Sequence, residues 1–312
     1  DLHREVCKFA NVLKGQGVVA GDRVTIYMPL IPEATIAMLA CARIGAMHSV
    51  VFSAFSSDAL RSRIEDCNSQ IVITSDVGFH GGKIVPLKEK VDAALSGPNA
   101  LRKVRKVLVL DRSGQGLKNI SMTPDRDVSW SELVDRQSTQ HAAKPFDSEN
   151  PLFALYTSGS TGKPKGVLHT TAGYLLYAHT TFKYIFDYRP EDIFFCTADV
   201  GWITGHSCVV YGPLQLGATQ FIYEGAPDFP HPGRWWELIE KYKVTAFYTS
   251  PTVLRMFMRF GREWVERHDL SSLKILGSVG EVINPDVWTW YHTIVGQGRC
   301  PIVCLLYTSD AA

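Results

Sequence analysis

Thr157-Ser158-Gly159-Ser160-Thr161-Gly162-Lys163-Pro164-Lys165-Gly166 follows directly on the apolar run Leu152-Phe153-Ala154-Leu155-Tyr156. The run is short and wholly apolar, as a buried strand should be, and the segment after it holds only Gly, Ser, Thr, Pro and Lys. A strand opening into such a loop brings backbone N–H groups, hydroxyls and two ammonium groups into one small volume, which suits a polyphosphate. The spacing is not that of the Walker loop. Gly159 and Gly162 have two residues between them, and Pro164 follows Lys163 where Ser or Thr would stand. A flexible surface loop is the competing reading of a Gly/Ser segment. The strand before it and the paired lysines favour phosphate.

Working outward, strand-like runs recur at residues 23–28, 47–52, 70–74, 106–110, 192–197, 219–223, 245–249 and 273–278. Helix-like runs lie between them at 4–14, 32–44, 58–66, 87–95, 173–186, 234–242, 253–267 and 285–294. Pro32 and Glu33 mark one first turn, and Ser56-Ser57-Asp58 can cap the next helix. This alternation predicts an α/β fold of two βαβ-type subdomains, with parallel sheets and crossover helices. Residues 111–150 are rich in Ser, Asp, Gly and Gln. They divide the chain into an expected first subdomain over 1–145 and a second over 146–303 that carries the loop. A ligand is expected at the carboxyl ends of strands, where such loops emerge.

Composition narrows the function. Hydrophobic residues make up 46% of the 312 residues and charged ones 20%, as in a soluble globular protein with a real core. A net charge of +1 argues against nucleic-acid and acidic-membrane partners, which need a basic excess. The basic cluster Arg102-Lys103-Val104-Arg105-Lys106 reads as a solvated strand entrance. Seven cysteines lack C-x-x-C pairs and zinc spacing, so free thiols in a reducing compartment, the cytoplasm, are expected. The apolar stretch 31–52 is interrupted by Glu33, Arg43 and Gly45, which is unlike a membrane span, and no signal peptide is visible. Elbow, zincin and dinucleotide fingerprints are all missing, so hydrolase, metalloprotease and dehydrogenase readings lose their support.

Four further segments fall at or near expected strand ends. Asp199-Val200-Gly201-Trp202-Ile203-Thr204-Gly205-His206-Ser207 is unusual for a plain turn, although Trp202 could equally be core. Gly277-Ser278-Val279-Gly280-Glu281 allows close backbone approach to a ligand. Gly78-Phe79-His80-Gly81-Gly82-Lys83 offers glycine amides and a cation, or simply a helix-entry turn, and a segment at 224–230 contains Asp228. His169 reads as a hydrogen-bonded structural histidine.

Together these segments resemble the adenylate-forming superfamily, and within it the acetyl-CoA synthetase family. The similarity rests on Tyr156 to Gly166, Ala198 to His206, Tyr211-Gly212-Pro213-Leu214, Tyr248-Thr249-Ser250-Pro251-Thr252, Gly277 to Glu281, and Phe229 to Trp236. It covers residues 1 to about 303. The resemblance implies that an acyl carboxylate attacks ATP, with Mg2+, to give an acyl-adenylate, which a CoA thiol then cleaves. That chemistry depends on positioning and electrostatics.

By resemblance, Thr157, Ser158, Gly159, Ser160, Thr161, Gly162, Lys163 and Lys165 would hold the β- and γ-phosphates. Gly280, Glu281 and Val282 match the triplet that contacts the nucleotide. Trp202, Ile203 and Val279, with Thr204, would wall a small acyl pocket. His80, Gly81, Gly82, Lys83, Thr204 and Asp228 align with positions that meet CoA. Val282 stands where relatives usually have Pro. His80 replaces a usual Arg, a weaker partner for a CoA phosphate.

After Val303 the family continues with Asp-Thr-Trp-Trp, whereas this chain reads Cys304-Leu305-Leu306-Tyr307-Thr308-Ser309-Asp310-Ala311-Ala312. The resemblance therefore implies an aberrant tail over 304–312 on a fragment of the large N-terminal domain, unable to turn over alone. A propionate or other short-chain acyl ligase is the alternative within the class. A non-catalytic nucleotide- or CoA-binding remnant is the alternative outside it.

Overall fold

The computed structural model describes residues 1–96, 103–157 and 164–305. The fourteen strands among them are β1 (Arg23–Tyr27), β2 (Met47–Val50), β3 (Ile71–Ser75), β4 (Gly78–His80), β5 (Lys83–Val85), β6 (Lys106–Leu110), β7 (Asp127–Ser129), β8 (Pro151–Thr157), β9 (Lys165–Thr170), β10 (Ile193–Cys196), β11 (Thr219–Phe221), β12 (Ala246–Thr249), β13 (Ile275–Val279) and β14 (Ile302–Leu305). They belong to two compact units: Asp1–Phe79 with Lys83–Tyr174, and His80–Gly82 with Leu175–Ala312.

The first unit is built on a seven-stranded sheet in the order β7-β6-β3-β1-β2-β8-β9. Its strands run parallel up to β8, and only β9 is antiparallel to its neighbour. Helix Pro32–Ile44 is one of its crossovers. Proline begins it, and Gly45 ends it with φ of 75°, a left-handed conformation that costs glycine nothing. Eight of its thirteen residues are buried, which fits its largely apolar composition. The unit runs on past residue 145 to Tyr174 because β8 lies beside β2, with His48 opposite Phe153. The polar segment 111–150 contributes β7 and a short helix, Trp130–Val134, whose Trp130 stacks on Phe9 at 3.8 Å.

The second unit contains a five-stranded sheet, β11-β10-β12-β13-β14, parallel throughout. Its core is aromatic: Phe195, Trp235, Trp236, Phe247, Phe257 and Tyr291 are buried together. Parallel strands place every carboxyl end on one edge, where ligands gather in such folds. The helix expected over 253–267 is two helices, Pro251–Phe260 and Glu263–Glu266, because Gly261 takes φ of 99°. Cys304, expected to open the tail, lies within β14 opposite Ser278, and residues 306–312 fall outside the described part. Among the described residues, no helix is long and apolar enough to cross a membrane.

Candidate active site

The opening motif sits on a hairpin stem. β8 and β9 pair so that Thr157 faces Lys165 and Tyr156 faces Gly166. Ser158, Gly159, Ser160, Thr161, Gly162 and Lys163 lie outside the described residues. Thr157 is half-buried and Lys165 exposed. Tyr156 fixes the stem. Its hydroxyl donates to the Asp66 carboxylate at 2.7 Å, and its ring lies under the Arg63 guanidinium at 5.7 Å. The same guanidinium covers Phe55 at 4.7 Å. Burial, reinforced by Asp66, raises the Tyr156 phenol, so it remains a protonated donor at neutral pH. Across the ladder a Cβ on Gly166 would come within 3.1 Å of the Tyr156 ring. His169, further along β9, is held by rings rather than by the expected hydrogen bond. It stacks on Phe153 at 4.6 Å and meets Tyr174 at 5.2 Å, and its Nε2 has no hydrogen-bond partner. Burial lowers its pKa and keeps it neutral.

In the second unit, segments 199–207 and 279–282 stand at the carboxyl edge of the five-stranded sheet. After β10, the Asp199 carboxylate accepts the Gly201 N–H at 2.7 Å, and its carbonyl accepts the Trp202 N–H at 3.1 Å. Gly205 is required there, because a Cβ would overlap the Asp199 backbone. The chain then enters a helical run, Ile203–Gly205, whose continuation His206–Tyr211 is a π-helix, a feature frequent at functional sites. His206 Nδ1 donates to the Trp202 carbonyl at 3.0 Å. Ile203 and Thr204 are buried, while Trp202 is 49% exposed and so is not a core residue. Burial of its carboxyl pushes Asp199 up to about 6, against the Gly201 N–H that favours the charged form.

Hydrogen bonds tie neighbouring strand ends together. The Thr197 and Thr249 hydroxyls meet at 2.8 Å, linking the ends of β10 and β12. Beyond β13, Glu281 reaches back to helix Pro251–Phe260, which follows β12. Its carboxylate accepts the Thr252 N–H at 2.8 Å and the Thr252 hydroxyl, and it pairs with Arg255 at 2.6 Å. Burial would raise Glu281, but the Thr252 hydroxyl and the Arg255 guanidinium prevail and hold it below its ordinary range. Val279 is buried at the strand end. Gly280 follows with φ of 92° and open space where a side chain would stand, and Val282 is 80% exposed.

Residues 78–83 prove to be a hairpin, β4 to β5, rather than a helix-entry turn. Gly81 and Gly82 take φ of 55° and 76°, and a Cβ on Gly82 would lie 2.6 Å from the Phe229 ring. His80, Gly81 and Gly82 are thus neighbours of the turn that carries Asp228, and Lys83 follows at the start of β5, exposed like His80 and Asp228. Thr252 entered the sequence reading only as the end of a matched segment, without a role, and Arg255 escaped it. Arg255 is 26 residues from Glu281, and only the fold brings them together. Among the described residues, no group of three or more His, Cys, Asp or Glu side chains is placed to hold a metal ion.

The described part is an α/β fold with Gly-rich and hydroxyl-bearing segments at the carboxyl edge of its five-stranded parallel sheet. The family model of AMP-binding enzymes matches residues 1–307, and the chain belongs to that family. It is 55% identical over 97% of its length to the acetyl-coenzyme A synthetase of Novosphingobium aromaticivorans. It is 56% identical, again over 97%, to that of Bdellovibrio bacteriovorus. An acetoacetyl-CoA synthetase from Streptomyces lividans superposes with a TM-score of 0.86 at 27% identity, covering 98% of this chain. The chain spans 46% of the length of each of these three proteins.

Proposed function

We propose that this chain serves the AMP-forming ligation of acetate to coenzyme A. In the first half-reaction an acetate oxygen attacks the α-phosphorus of ATP, forming acetyl-adenylate and releasing pyrophosphate. In the second, the CoA thiol attacks the acyl carbon, the acyl–phosphate bond breaks, and AMP leaves. The observation that carries the reading is the carboxyl edge of the five-stranded sheet. There Ile203, Thr204 and Val279 are buried, and the open backbone at Gly280 follows directly on Val279.

In this reading Thr157 to Lys165 hold the β- and γ-phosphates, with magnesium arriving on them. Gly280, Glu281 and Val282 contact the nucleotide, and Trp202 closes the acyl pocket. His80, Gly81, Gly82, Lys83 and Asp228 meet CoA. The partners are small molecules, and the compartment is the reducing cytoplasm, which the seven free cysteines support. Calorimetric titration of the 312-residue chain with AMP and with a non-hydrolysable acetyl-adenylate analogue tests this. Tighter binding of the analogue is expected, and equal binding would remove the acyl pocket from the proposal.

A further inference from the structure

Three protein groups hold the Glu281 carboxylate. Thr252 is the second residue of helix Pro251–Phe260, where a backbone N–H has no partner inside the helix, and Glu281 supplies one. The carboxylate also sits at the positive end of that helix dipole. Its other oxygen takes the Arg255 guanidinium at 2.6 Å, and Arg255 in turn donates to the Thr252 hydroxyl at 2.8 Å. The three side chains close a ring. It fastens the turn after β13 to the helix after β12.

A carboxylate so occupied has little left to offer a ligand, whereas the backbone beside it is open. Gly280 has φ of 92° with nothing within 4 Å of its missing side chain. We infer that Thr252 and Arg255 are positioning residues for the nucleotide: they hold Glu281, and through it present the backbone of residues 280–282. The inference rests on the nucleotide reading proposed above and deepens it, since it moves recognition from the Glu281 carboxylate to the main chain.

The Arg255 and Glu281 side chains are 34% and 36% exposed, so water screens their attraction. What the ring contributes is geometry, and a displaced turn should cost binding on the order of tenfold.

The test is titration of the 312-residue chain with ATP in magnesium buffer, using wild type, Arg255→Met, Arg255→Lys, Glu281→Gln and the double variant Arg255→Met/Glu281→Gln. Melting temperatures are recorded in parallel. Arg255→Met is expected to weaken binding about tenfold, and Arg255→Lys to recover part of that loss. The double variant should bind no more weakly than the weaker single variant, because both break one ring. A helix cap without a positioning role would lower the melting temperature and leave affinity in the folded chain unchanged, and that result overturns the inference. So do additive losses in the double variant. Should Arg255→Met fail to fold, Glu281→Gln carries the same comparison. A wild type that binds no ATP would instead overturn the nucleotide reading, and this inference with it.

Discussion

The β8–β9 stem and the carboxyl edge of the five-stranded sheet each present residues of the proposed site, yet they fix them in opposite ways. The stem is local. Thr157 and Lys165 face each other across an antiparallel ladder, and Tyr156 ties that ladder to Asp66 and Arg63. The edge joins residues distant in sequence, Thr197 on Thr249 and Glu281 on Thr252 and Arg255, to the local turn in which Asp199 folds back on Gly201. Ladder hydrogen bonds share the load among many groups, whereas an edge made of single contacts concentrates it. Substitutions at the edge should therefore cost more than substitutions in the stem.

The severest test is Gly205→Ala. The new methyl would overlap the Asp199 carbonyl, which is backbone and cannot turn aside. A loss of more than about 3 kcal/mol in urea unfolding is expected, at the high end of overpacking costs. A loss below about 1 kcal/mol would mean that the edge yields as readily as the stem.

Next in size is Asp199→Asn, read as a function of pH. The folded carboxyl titrates near 6, above the unfolded value of about 3.9. Between those two values the folded chain keeps a proton that the unfolded chain has lost. Stability from this group is thus fully present below about pH 4, and it falls as pH rises towards 6. Asparagine keeps an oxygen for the Gly201 N–H and never ionises. Relative to wild type, the variant should gain on the order of 3 kcal/mol between pH 4 and pH 7. A difference that does not change with pH would show that the carboxyl is better solvated than its packing indicates.

These regions also differ in how much of them could be read from the chain alone. The strand before the loop was legible because Leu152 to Tyr156 is a continuous apolar run, and the parallel sheets followed from its alternation with helical segments. β9 was not legible. Lys165 and Gly166 open it with the chemistry of a loop, and its pairing to β8 supplies the order its sequence lacks. Trp202 could have been core or site by sequence, and only its 49% exposure separates the two. The Glu281–Arg255 contact had no sequence signal, since periodicity reports on one element at a time and this ring joins two. Gly261 shows a converse limit: an apolar helical pattern runs through it, yet its positive φ ends the helix.

In the stem, Tyr156→Phe removes the hydrogen bond to Asp66 and leaves the ring in place. A cost of about 1 kcal/mol is expected in urea unfolding, since the contact is near the surface. A cost as large as that of Gly205→Ala would erase the contrast between the two regions.

The smallest effect is the sharpest on mechanism. Gly166 faces Tyr156 across the ladder, and a Cβ there would stand 3.1 Å from one ring carbon and 3.2 Å from the next. That is tight enough that the ring must give way by a few tenths of an ångström. In wild type the ring is held at its hydroxyl by Asp66 and on its face by Arg63. Gly166→Ala should therefore destabilise the wild type by about 1 kcal/mol, despite removing a glycine from a strand. In the Tyr156→Phe background the ring has lost its hydroxyl anchor and can slide, so the same alanine should cost about 0.5 kcal/mol less. A double-mutant cycle by urea unfolding reads that coupling directly. Zero coupling would mean that the ladder, not the tyrosine anchor, sets the ring's position, and the stem would then owe its order to backbone hydrogen bonds alone.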